Sequence, residues 1–93
     1  KPAMTAKTKA ISVKGRVQGV GFRYFVLRNA QRLGIKGFVK NMPDRSVYIE
    51  AQGQEENLNE LIGLCWKGPG RARVDSVETI EVERDKWNDF YVE

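Results

Sequence analysis

The chain contains no histidine and a single cysteine among its 93 residues. Without histidine it has no workable zinc ligand set, and one thiol, Cys65, excludes an internal disulfide. No apolar run approaches the roughly 20 residues that cross a bilayer, and no signal-peptide pattern opens the chain. These absences predict a cytoplasmic protein with no membrane partner and no metal; no cofactor is expected either. Acidic residues are scarce in one half. Residues 1–45 hold 11 Lys or Arg against the single acid Asp44, a net +10, whereas the remainder carries −6. A half so basic attracts an anionic ligand.

What is present reads as one soluble domain covering residues 1–93, with 1–6 expected to be flexible. Its apolar fraction of 41% and charged fraction of 30% are those of a globular chain. Ile11 and Val13 alternate with Ser12 and Lys14, which predicts a half-buried strand over 10–14. Phe22, Val26, Ala30 and Leu33 predict a helix over 22–33, stopped by Gly34. A second strand is expected over 36–42, a turn at Pro43 and Asp44, and a third strand over 47–52. Leu58, Leu61, Ile62 and Cys65 fall at i, i+3, i+4 and i+7 and predict a helix over 55–67, with Cys65 as a core residue. A fourth strand is expected over 77–83 with Ile80 and Val82 inward, then a polar turn and a short strand over 90–92. The order β-α-β-β-α-β predicts an α+β, ferredoxin-like sandwich, an antiparallel sheet with both helices on one face. In that topology the first two strands end at the same edge of the sheet. Residues 23 and 41 then converge on one pocket.

Between the first strand and the first helix stands Gly15-Arg16-Val17-Gln18-Gly19-Val20-Gly21-Phe22-Arg23. Glycines allow φ > 0 and bring bare N–H groups against a ligand. A helix N-terminus adds free donors and partial positive charge, and Arg23 adds a planar fork that matches phosphate oxygens. The loop is neither a Walker A motif nor a dinucleotide fingerprint, because both lack their diagnostic later residues here. The residues alone leave open an ordinary glycine-rich connection beside a surface Arg.

The literal string resembles the signature of the acylphosphatase family, small enzymes that hydrolyse carboxyl-phosphate anhydrides. A second stretch, Gly37-Phe38-Val39-Lys40-Asn41-Met42-Pro43-Asp44-Arg45-Ser46-Val47, resembles that family's second motif, with Arg45 in place of glycine. Gly68-Pro69 and Ala72-x-Val74 are similar to a third, weaker pattern. The resemblance implies direct in-line attack of water on a small-molecule acyl phosphate, with no covalent intermediate. Arg23 and Asn41 would be catalytic, Arg23 gripping phosphoryl oxygens and Asn41 orienting the water. Main-chain N–H groups of Gln18, Gly19, Val20, Gly21 and Phe22 would bind the phosphoryl group. Inorganic phosphate or sulfate would compete, and the enzyme would act as a monomer.

Other residues are expected to be structural: Asp44 in the turn, and Phe22, Tyr24 and Phe25 as core and loop support. Trp66 and Trp87 carry no motif. If the turn at Arg45 needs φ > 0, that residue is strained. An RNA-recognition module shares the topology, but the pattern after Lys36-Gly37-Phe38 fails and Ser12 and Lys14 offer no ring for stacking, so no nucleic-acid partner is expected. The related domain of a hydrogenase-maturation carbamoyltransferase usually has Pro after the motif's Arg, where Tyr24 stands here. A free-standing enzyme is the preferred reading.

Overall fold

The computed structural model describes residues 6–93, so all but Ala6 of the segment expected to be flexible lies outside the described residues. The elements run β1 (Lys7–Arg16), α1 (Phe22–Arg32), β2 (Lys36–Asn41), β3 (Val47–Gly53), α2 (Glu55–Lys67), β4 (Arg73–Val82) and β5 (Phe90–Val92). They form one sheet in the order β4-β1-β3-β2-β5. Every pairing is antiparallel except β2–β5, which is parallel. This is the α+β, ferredoxin-like arrangement that the element order predicts. One core joins Ile11, Val13, Val39, Val47, Ile49 and Ala51 of the sheet to Phe22, Val26 and Ala30 of α1 and Leu58, Leu61 and Cys65 of α2. Both helices therefore cover the same face. Burial there pushes the Cys65 thiol up to about 12.

β4 departs from expectation in extent and in facing. It begins at Arg73, where Gly15 and Arg16 pair with Val74 and Arg73 across a register shift after Lys14. Ile80 and Val82 do not point inward. Val77 pairs with the core residue Val13 and Thr79 with Ile11, so alternation sends Ile80 and Val82 to the opposite face, where Ile80 is 66% exposed. Val77 and Ile80 differ in parity, so only one of them can join the core.

The stretch read as a polar turn is a strap across that second face. Gln52 donates to Thr8 Oγ1 (2.9 Å) and to the Asp85 carbonyl (3.2 Å), and its Oε1 accepts the Trp87 N–H (3.1 Å). Arg84 grips the buried Glu50 carboxylate at 2.9 and 3.2 Å. Tyr48 also donates to Glu50, and burial with that carboxylate pushes its phenol up to about 12. Trp87 meets Phe38 edge-on, and Phe38 packs on Tyr48. These rings are used on one another rather than left as a stacking platform. No helix of the described residues is long and apolar enough to cross a membrane.

Candidate active site

The glycine loop owes its path to two local necessities. At Gly15 the backbone takes φ +133°, and a Cβ there would fall on the Arg73 carbonyl oxygen, so only glycine lets β1 and β4 approach this closely. At Gly21, φ +83° makes the left-handed step that starts α1. No side chain caps this helix and no acid stands in its first turn, whereas α2 begins with Glu55 and Glu56. The first N–H to bond within α1 is that of Phe25, to the Gly21 carbonyl at 3.0 Å. The positive end of α1 is thus offered outward, to whatever anion enters the loop.

Beside it lies a cleft of about 210 Å³ lined by Val17, Gly19, Gly21, Phe22, Arg23, Tyr24 and Asn41. Arg23 and Asn41, 18 positions apart in sequence, meet here because β1 and β2 both end at this edge of the sheet. The Arg23 guanidinium donates through Nη1 to the main-chain oxygen of Glu93 at 2.8 Å, and the Glu93 N–H donates to the Val39 carbonyl at 2.9 Å. That chain of contacts ties the cation to β2 beside the cleft. A larger hollow of about 250 Å³ on the other face of the sheet includes Ile80, Tyr48 and Arg84. Its one cation, Arg84, is already held by Glu50, so it offers an anion little.

Not every expected residue lines the cleft. Val20 is partly buried and packs against the core, anchoring the loop. Gln18 lines an adjoining hollow with Gly15, Arg16, Val17 and Arg45. Its Nε2 donates to both the Met42 and Ser46 carbonyls, each at 2.9 Å. The Gln18 side chain therefore braces the glycine loop against the turn that follows Asn41. Nothing in the sequence signals that amide bridge, which depends on how the glycine loop meets a single turn whose two acceptors lie 24 and 28 residues further on. In the turn itself, Asp44 accepts from the Ser46 N–H (3.0 Å) and hydroxyl (2.6 Å), which lowers its pKa from the ordinary carboxylate value. Asp44 has the structural role expected of it. Arg45 takes φ +76°, the left-handed conformation that its replacement of glycine put at issue. Tyr24 differs from expectation. Phe22 is buried and Phe25 half-buried, but Tyr24 is 60% exposed at the cleft and supports no core.

A model of the family described as Acylphosphatase matches residues 9–92 of the chain. A protein named Acylphosphatase from Archaeoglobus fulgidus is 49% identical over 82 residues, covering 88% of this chain and 92% of that one. The structure of an acylphosphatase from Coxiella burnetii superposes with a TM-score of 0.91 at 33% identity, over 95% of this chain and 93% of that one. The crystal structure of HypF from T. kodakarensis gives a TM-score of 0.85 at 36% identity, covering 94% of this chain but only 12% of that longer one.

Proposed function

The chain belongs to the acylphosphatase family, hydrolases of the carboxyl-phosphate bond, and on that premise we propose that its cleft holds the acyl phosphate for direct attack by water. The single observation that carries this reading is the shared cleft itself, where the uncapped start of α1 meets Arg23 and Asn41. Main-chain N–H groups over Gln18–Phe22 bind the equatorial phosphoryl oxygens, and Arg23 adds a bidentate charge-assisted contact. The Asn41 amide orients a water in line with the bond to be cleaved. The water oxygen bonds to phosphorus, the bond from phosphorus to the acyl oxygen breaks, and the carboxylate departs with the bonding pair. The water's proton passes to a phosphoryl oxygen. A carboxylate, the base of an acid of pKa about 4, leaves readily enough that the scheme needs neither metal nor covalent nucleophile.

The test is Arg23→Ala and Asn41→Ala assayed on acetyl, benzoyl and carbamoyl phosphate, with the melting temperature as a fold check. Each variant is expected to melt like the parent and to lose roughly 10²–10³ in kcat, the effect of deleting one preorganised contact. Parental turnover in either variant refutes its role. Hydrolysis in ¹⁸O water is expected to label phosphate and not the carboxylate; label in the carboxylate means attack at carbon. Inorganic phosphate is expected to compete. Cytoplasmic action as a monomer belongs to the same reading, supported by the lone buried Cys65. A sedimentation mass well above 10.6 kDa overturns the monomer.

A further inference from the structure

Resting on that reading of the phosphoryl end, we propose that Tyr24 forms the acyl-side wall of the cleft and favours substrates whose acyl group is aromatic. Gly19 and Gly21 have no side chains, and Val17 and Phe22 are 1% and 2% exposed, with their surface already committed to the core. Arg23 is held toward the main-chain oxygen of Glu93, and Asn41 is assigned to the water. Tyr24 alone among these residues presents a large apolar surface to solvent. Among the described residues its ring has no aromatic partner. It stands in the first turn of α1, and helical side chains lean toward their own N-terminus. That lean agrees with its place in the lining beside Gly19 and Gly21.

In-line displacement fixes the rest. With water at Asn41, the leaving carboxylate departs on the opposite side of phosphorus, and of the lining side chains only Tyr24 is left free to meet it. An acyl group that is itself a ring can stack on Tyr24 there, whereas an acetyl group is too small to cover it.

The experiment compares kcat/KM for benzoyl phosphate and acetyl phosphate in the parent, Tyr24→Ala and Tyr24→Phe, with melting temperature as the fold check. The benzoyl-to-acetyl ratio is expected to fall roughly five- to tenfold in Tyr24→Ala, mainly through KM for benzoyl phosphate, and to be kept in Tyr24→Phe. An unchanged ratio in Tyr24→Ala, or a ratio lost equally in Tyr24→Phe, overturns the proposal. Failure of the phosphoryl site itself reads differently: it leaves Arg23→Ala active on both substrates and does not depend on their ratio.

Discussion

Arg45 tests how strongly one backbone angle constrains this protein. Its φ of +76° lies in the region where a Cβ crowds the following carbonyl, at a cost of roughly 1–2 kcal/mol. Glycine removes that strain but gives back part of the gain as unfolded-chain freedom. Arg45→Gly is therefore expected to raise the melting temperature by about 3 °C, since 1 kcal/mol corresponds to roughly 4–8 °C in a domain of this size. Scanning calorimetry checks it, and a lower melting point means the side chain contributes more than the backbone loses. The position was legible in advance because a non-glycine residue interrupts an otherwise matching motif. Tyr24 was not legible. Phe22 and Phe25 pack as expected, and helical geometry turns Tyr24 outward from the face they share.

At the level of elements, the glycine loop and the β2–β3 turn are one mechanical unit fastened by the Gln18 amide. Met42 and Arg45 close the turn through their own N–H bonds, to Ser46 and Met42 at 2.9 and 3.0 Å, and Gln18 takes up the two carbonyls again from outside. Losing the amide frees the turn beside Asn41 while leaving the main chain of the loop in place. Gln18→Ala is expected to lower kcat about tenfold with little change in inhibition by inorganic phosphate. In the Asn41→Ala background the further loss is expected to shrink below about twofold, because the two residues act as a unit. Equal factors in both backgrounds would show that Gln18 acts independently of Asn41. Element order, by contrast, could be read from the chain, since periodicity and glycine punctuation are local. The facing of β4 and the strap over 83–89 could not. Charged residues fall on both faces of β4, and the strap is held by the Gln52 and Glu50 side chains of β3, far off in sequence.

Across the whole molecule, the uneven charge of the sequence recurs in where the charged residues stand. Asp75, Glu78 and Glu81 lie on β4 at one edge, where like charges also discourage edge-to-edge pairing with another chain. The basic half supplies the cations at the glycine loop: Arg23 lines the cleft, and Arg16 and Arg45 line the hollow next to it. If the loop is the phosphoryl site proposed above, an acyl phosphate dianion approaching this surface is drawn toward it before it touches any residue. Screening shortens that reach, from about 10 Å at 0.1 M salt to about 3 Å at 1 M. We therefore expect kcat/KM for acetyl phosphate to fall several-fold between low salt and about 0.5 M sodium chloride, with kcat nearly constant, because contacts inside the cleft are less screened than the approach. Arg16→Glu should flatten that salt dependence and raise KM without lowering kcat. A kcat/KM indifferent to salt in the parent means that capture depends on the cleft alone, and that the basic half merely keeps the chain soluble.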